Sequence, residues 1–212
     1  MFTGIVTGIF KVQSIVAKKG FSSFSIELDD AHLENLKVGA SVAIDGVCMT
    51  VTRIENASVY FDASMETLRL TTLGQLRTGD WVNIERSAKA GVEIGGHPIS
   101  GHVDGTAEVI EVEKPENNWI MTVKFPENSA KYLFNKGFVA LNGCSLTISN
   151  LDKGASRFKV YLIPETLRLT TFEHLHPGDR INFEIDRQTQ VIVDTLESSL
   201  NSLLGDRSFN RT

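Results

Sequence analysis

The sequence predicts an all-β protein built from two tandem homologous barrels and a C-terminal helix. First, residues 66–72 and 165–171 have the same sequence, Glu-Thr-Leu-Arg-Leu-Thr-Thr, 99 residues apart (66 to 165). Second, each half consists of short alternating segments separated by Gly, Asn and Asp, as strands are. Third, an apolar helical stripe follows the second half and has no counterpart in the first. A period near a hundred residues indicates two similar domains rather than a solenoid.

The duplication extends well beyond the heptapeptide. Three further pairs of segments align at nearly the same spacing: 3–8 with 100–105, 42–50 with 139–147, and 79–85 with 178–184. The chain of 212 residues therefore fits two domains of about 95 residues, each large enough for its own core. The Gly-rich segment 89–98 marks the boundary between them. We expect barrels at 1–97 and 98–187, followed by an oligomerisation helix and tail at 188–212.

Alternation of apolar and polar residues predicts half-buried strands in both repeats. The inward-facing apolar positions are Phe24, Ile26, Leu28, Val59, Phe61, Val82, Ile84, Ile181, Phe183 and Ile185. Each repeat is also expected to hold one short helix, residues 31–36 capped by Asp30 and residues 129–134 capped by Asn128. Many strands with little helix favour a small closed antiparallel barrel per repeat, since closure removes exposed sheet edges.

The last element is a predicted amphipathic helix. Its apolar residues recur at spacings of 3, 4 and 3, which form one helical stripe: Val193, Leu196, Leu200 and Leu203. Gly205 is the expected C-cap. The stripe must be buried either on the chain's own barrels or against another copy of the chain, and the sequence pattern leaves both alternatives open.

Composition limits the class of protein. The apolar fraction of 42% and the charged fraction of 22% are typical of soluble globular domains. A net charge of −5 without a Lys/Arg cluster argues against nucleic-acid or polybasic membrane partners. With two cysteines, no signal-like N-terminus and no apolar run of about 18 residues, we expect a cytoplasmic location and no membrane span.

Common catalytic signatures are absent from the sequence, including the P-loop, G-x-G-x-x-G, G-x-S-x-G and H-E-x-x-H. His97 and His102 flank a Gly/Ser turn, while His174 and His176 precede another turn. None has acidic or cysteine neighbours at zinc spacing, so no metal site is predicted. We interpret His174 and His176 as solvated loop residues.

Differences between equivalent positions point to the candidate chemistry. Ile5 of the first repeat corresponds to His102, and Cys48 corresponds to Ser145, while a threonine stays in place at 50 and 147. Imidazole, hydroxyl and thiol could form an acid/base and nucleophile set if the sites face each other. The alternative is structural: Cys48 as a small buried residue, His102 as a turn residue, and Ser145 as an ordinary strand residue.

Seven motifs together resemble riboflavin synthase of the alpha type, in the family's order and over essentially the whole chain. They are Met1–Val6, Gly46–Val51, Ser100–Gly105, Lys136–Phe138, Gly143–Thr147, the two Glu-Thr-Leu copies, and Ile185–Gln190. The resemblance implies a homotrimeric transferase whose subunits each have two six-stranded Greek-key barrels and a C-terminal helix. It also implies conversion of two 6,7-dimethyl-8-ribityllumazine molecules into riboflavin and 5-amino-6-(ribitylamino)uracil, with no cofactor or metal.

The resemblance assigns one lumazine to each barrel. The first pocket would use Gly4, Ile5, Val6, Cys48, Met49, Thr50, Asp62, Ala63, Ser64, Met65, Glu66 and Thr67. The second would use Gly101, His102, Val103, Lys136, Ser145, Leu146, Thr147, Tyr161, Leu162, Ile163, Pro164, Glu165 and Thr166. The implied catalytic residues are Cys48, His102, Ser145, Thr147 and Asp186.

Two departures and one rival function accompany the resemblance. Asp45 stands where the family usually has Asn, which is expected to bring a carboxylate beside the first pocket, and Met49 stands where Leu is commoner. The rival is a non-enzymatic lumazine- or flavin-binding antenna protein of the same fold, which tends to lose the second-repeat motifs that are intact here. Association with lumazine synthase is left open. The duplication also suggests an active site between subunits.

Overall fold

The first repeat folds into a closed six-stranded antiparallel barrel, as predicted. The computed structural model describes residues 1–116 and 118–209, with side chains described through Leu203. The elements of this repeat are β1 (Gly8–Lys18), β2 (Phe21–Glu27), α1 (Asp30–Leu33), β3 (Ser41–Ile44), β4 (Val47–Glu55), β5 (Ser58–Ser64), α2 (Met65–Leu70), a 3₁₀ helix (Thr72–Gln75) and β6 (Trp81–Arg86). The strand order is β1-β2-β5-β4-β3-β6. Hairpins join β3, β4 and β5, and β6 returns beside β3, which is a Greek key.

The second repeat has seven strands where six were predicted. Its elements are β7 (Gly105–Glu113), β8 (Trp119–Lys124), a 3₁₀ helix (Glu127–Tyr132), β9 (Phe138–Leu141), β10 (Cys144–Thr147), β11 (Ser149–Asp152), β12 (Arg157–Leu162), α3 (Pro164–Leu169), a 3₁₀ helix (Thr171–His174) and β13 (Arg180–Ile185). The order is β10-β9-β13-β7-β8-β12-β11.

The extra strand comes from one interruption. The two end strands of the sheet, β10 and β11, are consecutive in the chain and separated only by Ile148. They correspond to β4, which pairs with β3 over its first half and with β5 over its second half. At the same change of partner, the Ile148 N–H donates to the Gly137 carbonyl at 2.9 Å, outside the ladder. One continuous chain segment therefore forms both end strands of the sheet, so the two edges of the sheet lie next to each other.

Each barrel encloses its own apolar core. Phe61 and Val59 of β5 are fully buried, as are Phe158 and Val160 of β12. Exposed or half-buried residues alternate with these positions along both strands, which confirms the alternation predicted for β5. The alternation predicted for β6 and β13 is wrong, because the polar residues between the apolar ones are buried as well: Asn83, Glu85, Asn182 and Glu184.

Helix positions were predicted less well than strands. α1 begins at Asp30 and ends at Leu33, and the Asp29 side chain caps it by accepting a hydrogen bond from the His32 N–H at 2.9 Å. The cap predicted at Asp30 is therefore wrong by one residue. Residues 127–132 form a 3₁₀ helix preceded by Pro126, with no side-chain cap, so the α-helix capped by Asn128 is also wrong.

The repeated heptapeptide forms the helices that sequence reading missed. In both repeats it supplies a short α-helix, α2 or α3, and leads into a 3₁₀ helix. Leu68 and Leu167 of these helices pack against the two barrel cores. The segments lack a long apolar stripe because each helix is only six residues long, so helical periodicity could not reveal them.

The C-terminal helix is α4 (Arg187–Phe209). It continues through Gly205, so the predicted C-cap is wrong. Leu196, Leu200 and Leu203 are 57%, 57% and 63% exposed, and the stripe is therefore not buried on the chain's own barrels. Near the helix start, Asp194 accepts hydrogen bonds from Lys131 and Tyr132. No helix among the residues that the structure describes is long and apolar enough to cross a membrane.

A pseudo-two-fold joint holds the two barrels together. The Asn83 side chain donates to the Asn142 carbonyl at 2.9 Å, and Asn182 donates to the Asp45 carbonyl at 2.8 Å. Gly46 and Gly143 meet so closely that a Cβ on Gly46 would lie 2.5 Å from the Gly143 nitrogen. The Asp45 side chain accepts from the Asn83 N–H at this joint, which places it there instead of beside the first pocket.

Candidate functional site

Two equivalent segments, the first arm (residues 3–6) and the second arm (residues 100–103), cross between the repeats. The Gly4 carbonyl of the first arm accepts a hydrogen bond from the Ser145 N–H of β10 at 2.9 Å. The Gly101 carbonyl of the second arm accepts from the Cys48 N–H of β4 at 2.9 Å. Each arm therefore lies on the barrel of the other repeat.

Packing confirms the crossing. Val6 belongs to the core of the second barrel, and Val103 packs against the core of the first. A Cβ on Gly4 would lie 2.5 Å from the Ser145 Cβ, and one on Gly101 would lie 2.6 Å from the Cys48 Cβ. Both glycines also have positive φ, +77° and +80°, so no other residue fits there without strain.

The crossing corrects the predicted division of the pockets. Gly4, Ile5 and Val6 were placed with the first barrel but lie on the second. Gly101, His102 and Val103 were placed with the second barrel but lie on the first. We therefore define the first cleft as the second arm with the Cys48 region, and the second cleft as the first arm with the Ser145 region. His102 shares a cleft with Cys48, not with Ser145.

A buried glutamate holds each arm. Glu85 accepts from the N–H and hydroxyl of Thr3 and from the Gly4 N–H at 2.6–3.1 Å. Glu184 accepts the same three kinds of hydrogen bond from Ser100 and Gly101 at 2.6–3.0 Å. Burial raises the pKa of Glu85, and the three hydrogen bonds oppose that rise. In each case the glutamate belongs to the same repeat as the arm that it holds. These contacts fix the backbone of both arms at the point where they cross to the other barrel.

The second cleft contains a close hydroxyl–imidazole pair. Ser145 Oγ lies 2.6 Å from His97 Nδ1, and the His97 ring stacks on Phe138 with centroids 5.1 Å apart. Burial lowers the pKa of His97, although the nearby charge of Asp186 partly opposes the shift. A buried neutral imidazole beside a hydroxyl can accept its proton, the arrangement that activates a serine as a nucleophile or relay.

His97 is a functional candidate that sequence reasoning considered only as a metal ligand. It lies in the connecting segment, where a Cβ on the preceding Gly96 would come within 2.7 Å of the Ser145 Cβ. Its equivalent in the first repeat would precede residue 1, so comparing the repeats could not reveal it. The sequence signal that could have identified His97 is its position just upstream of the second arm.

The second cleft is a small cavity of about 180 Å³ beside Ser145. It is lined by Gly4, Ile5, Val6, Cys144, Ser145, Ile163, Glu165, Thr166, Leu169 and Thr170. In the first cleft the partly exposed Cys48 contacts Gly101, the residue that precedes the exposed His102. Cys144 is not an equivalent reactive thiol, because burial raises its pKa to about 12.

Most other predicted residues occupy corresponding positions in the two repeats. Thr50 and Thr147 are exposed two residues after Cys48 and Ser145 on β4 and β10. Residues 62–67 and 161–166 span the end of β5 or β12 and the start of the following helix. Lys136 is exposed, with φ of +66°, and its N–H donates to the Ile148 carbonyl. Met49 and Leu146 instead point into the cores.

Asp186 has a structural role at the start of α4. Its carboxylate accepts hydrogen bonds from the Thr189 N–H at 3.2 Å and the Thr189 hydroxyl at 2.6 Å. These contacts cap the helix N-terminus. Among the described residues, no group of three or more His, Cys, Asp or Glu side chains is arranged to hold a metal ion.

Apolar side chains stand exposed around both clefts. Ile5 is 46% exposed and Ile163 is 63% exposed at the second cleft, and Met65, one residue beyond the position equivalent to Ile163, is 59% exposed in the first repeat. Large apolar residues at a cleft mouth are typical of surfaces that are covered by a ligand or another protein surface. The clefts in a single chain are therefore open on one side.

Comparison with known proteins gives matches over nearly all of the chain. The lumazine binding domain matches residues 3–87 and again residues 100–186. Riboflavin synthase of Escherichia coli (strain K12) is 49% identical over 201 residues, covering 94% of this chain and 93% of the relative. Riboflavin synthase of Meyerozyma guilliermondii is 35% identical over 217 residues, covering 98% and 91%.

Solved structures with a similar fold carry related ligands. LumP complexed with riboflavin has a TM-score of 0.82 at 24% identity, covering 88% of this chain and 100% of LumP. LumP complexed with 6,7-dimethyl-8-(1'-D-ribityl) lumazine has a TM-score of 0.79 with the same identity and coverage. This likeness shows that LumP and this chain share the same fold over 88% of this chain.

Proposed function

The chain belongs to the riboflavin synthase family, and we propose that it converts two molecules of 6,7-dimethyl-8-ribityllumazine into riboflavin and 5-amino-6-(ribitylamino)uracil. In this dismutation one lumazine gives a four-carbon unit to the other, so the reaction needs no outside oxidant or reductant. Its class is therefore a transferase. The proposed domains are 1–97, 98–187 and 188–212, and the proposed location is the cytoplasm.

The Ser145–His97 pair in the second cleft is the observation that carries this proposal. A reaction between two lumazines requires two binding places, and the chain has two related clefts with a crossed arm in each. The second cleft adds a half-buried hydroxyl 2.6 Å from a nitrogen of a buried imidazole. A group that moves a proton is needed because the reaction begins with loss of a proton from the 7-methyl group of one lumazine.

The chain's residues supply proton transfer and orientation. Ser145 Oγ, with its proton accepted by His97, would act on the lumazine in the second cleft. His102 would exchange a proton with the lumazine in the first cleft, and Cys48 would assist there. Holding two heterocycles in a reactive orientation can supply up to about 7–11 kcal/mol of the barrier. The main contribution of the fold is therefore the placement of the two clefts.

The proposed assembly is a homotrimer with its active sites between subunits. Two observations support it: the clefts are open with exposed apolar residues, and the α4 stripe is exposed along three successive leucines. In this arrangement the first cleft of one subunit faces the second cleft of its neighbour. The α4 stripes would bury each other at the centre of the assembly.

Mixing two inactive variants tests this arrangement. One variant replaces Cys48 and His102 in the first cleft, and the other replaces His97 and Ser145 in the second. Each alone should be nearly inactive, whereas co-refolded mixtures should regain activity because some interfaces pair two intact clefts. Mixed trimers verified by mass that show no recovery would instead place both substrates within one chain.

The function itself is tested by incubating the purified protein with 6,7-dimethyl-8-ribityllumazine. We expect riboflavin fluorescence to appear, with two lumazines consumed for each riboflavin formed. The doubly substituted His97/Ser145 variant is the control for trace contaminating enzyme. Tight binding of lumazine without any riboflavin would overturn the proposal in favour of the antenna-type binding protein.

A further inference from the structure

Arg187, the first residue of α4, contacts the backbone of the second arm. Its guanidinium donates to the His102 carbonyl oxygen, and a second nitrogen lies 2.8 Å from Asp104 Oδ1. Asp104 also accepts a hydrogen bond from the Ile185 N–H at 2.8 Å through its other oxygen. The Arg187 and Asp104 side chains are 31% and 21% exposed, so water screens their pairing only in part.

The second arm is thereby held by two charged residues. Glu184 accepts hydrogen bonds from Ser100 and Gly101 before His102, and Arg187 donates to the carbonyl of His102 itself. Glu184 is the penultimate residue of β13 and Arg187 starts α4, three residues later, so one short segment carries both contacts. The His102 imidazole remains exposed in the first cleft while both residues hold the backbone of the arm.

The first arm provides an internal comparison. Its glutamate, Glu85, holds Thr3 and Gly4 as Glu184 holds Ser100 and Gly101. The equivalents of Arg187 and Asp104 are Ala88 and Thr7, which carry no charge. The arm that bears Ile5 is therefore held by the glutamate without an arginine clamp. The contact of Arg187 and Asp104 with the arm, called the arginine clamp, is therefore not required to build an arm. It is found on the second arm, which carries the imidazole of His102.

We propose that Arg187, paired with Asp104, is a positioning residue that holds His102 in its reactive place against the lumazine bound in the first cleft. This inference rests on the proposed function. It assigns Arg187 no contact with substrate, only with the backbone of the residue that makes one. It also ties the reactive geometry to α4, since the clamp is formed by that helix's first turn.

Turnover by the full-length Arg187→Ala variant tests the proposal. We expect kcat to fall by roughly 10- to 100-fold, because a misplacement of about 1 Å can have an effect of that size. KM should change less than about threefold, because the barrel surface that binds the lumazine is untouched. Arg187→Lys, which keeps the charge but can reach fewer acceptors, should recover part of kcat.

Two further variants separate positioning from stability. Arg187→Ala leaves the Asp104 carboxylate without its cation, so the double variant with Asp104→Asn should recover melting temperature but not kcat. The matched control is Arg157→Ala, which removes an arginine from a more exposed pair with Asp152 at 3.7 Å and should leave kcat unchanged. Recovery of kcat in step with melting temperature would show that Arg187 has a merely structural role.

Amide hydrogen exchange gives a readout independent of activity. A peptide spanning residues 99–105 should exchange faster in Arg187→Ala than in the wild type or in Arg157→Ala, at equal oligomer mass by light scattering. Unchanged exchange would overturn the proposal, as would a rise in KM with kcat intact. If the wild-type protein formed no riboflavin, the proposed function would fail, while this measurement would still decide whether Arg187 holds the arm.

Discussion

Asp45 is the buried carboxyl at the joint between the barrels, and replacing it with Asn should stabilise the protein in a pH-dependent way. The substitution keeps an oxygen to accept the Asn83 N–H, at present 2.8 Å from Asp45 Oδ1. The pseudo-symmetric position already contains an amide: Asn142 Oδ1 accepts the Asn182 N–H at 2.7 Å. The fold therefore accommodates Asn at this place.

The expected magnitude follows from the pKa of Asp45. Burial raises this pKa from 3.8 to about 7, with a smaller contribution from the charge of Asp80 and opposition from the Asn83 hydrogen bond. The folded chain then keeps a proton up to about pH 7 that the unfolded chain releases near pH 4. Stability is lost as pH rises through this window, by about 1.4 kcal/mol per pH unit and at most about 4 kcal/mol.

Urea unfolding of wild type and Asp45→Asn at pH 5, 6, 7 and 8, at one protomer concentration, measures the effect. The advantage of the variant should grow with pH and reach about 2–4 kcal/mol at pH 8. Asn142→Asp is the reciprocal control and should lose stability over the same range. An advantage of Asp45→Asn that stayed constant from pH 5 to pH 8 would refute the assignment of a buried ionisation to this joint.

Four other predictions concern the second cleft, the pH dependence of its imidazole, the C-terminal helix and the joint. His97→Gln and Ser145→Ala should each lower turnover by about 10²- to 10⁴-fold, and the double variant little further, because the two act as one unit; equal melting temperatures would separate this from misfolding. Since burial lowers the pKa of His97, turnover should persist as pH falls to its ordinary value of 6.5 and drop only below it, as a pH–rate profile would show. Deleting residues 190–212 should shift the mass by light scattering from trimer to monomer; an unchanged mass would show that the barrels alone assemble. Gly46→Ala should destabilise far more than Gly79→Ala in thermal melts, since both have positive φ but only Gly46 abuts another backbone.

The sequence predicted the fold well because its signals were local or duplicated. Alternation placed the inward residues of β5 and β13, and the repeat showed that one barrel's pattern should recur in the other. The boundaries of α1 and the helical state of the heptapeptide were missed, since elements of four to six residues carry no complete period. The direction of the α4 stripe also could not be read, because periodicity shows that a face is apolar but not what covers it.

The arrangement of the site was harder to predict than its residues. Sequence comparison paired each arm with the barrel that follows it in the chain, whereas the hydrogen bonds of Gly4 to Ser145 and of Gly101 to Cys48 join each arm to the other barrel. Two domains can exchange short segments without any change in their patterns, so this crossing left no local signal. His97 was overlooked for a related reason, since it belongs to neither copy of the repeat.

The crossing also explains how a duplicated protein can treat two identical substrates differently, as the proposed dismutation requires. Two clefts with the same groups would give both lumazines the same environment, and neither would be favoured as donor of the four-carbon unit. Because the arms cross, His102 joins the thiol of Cys48, while the hydroxyl of Ser145 faces the apolar Ile5 arm. Ser145 has a buried imidazole as a hydrogen-bond partner, and that imidazole comes from the connecting segment. We infer that the second cleft removes the methyl proton and that the first holds the other reactant. The asymmetry therefore depends on the segment that joins the repeats as much as on the substitutions within them.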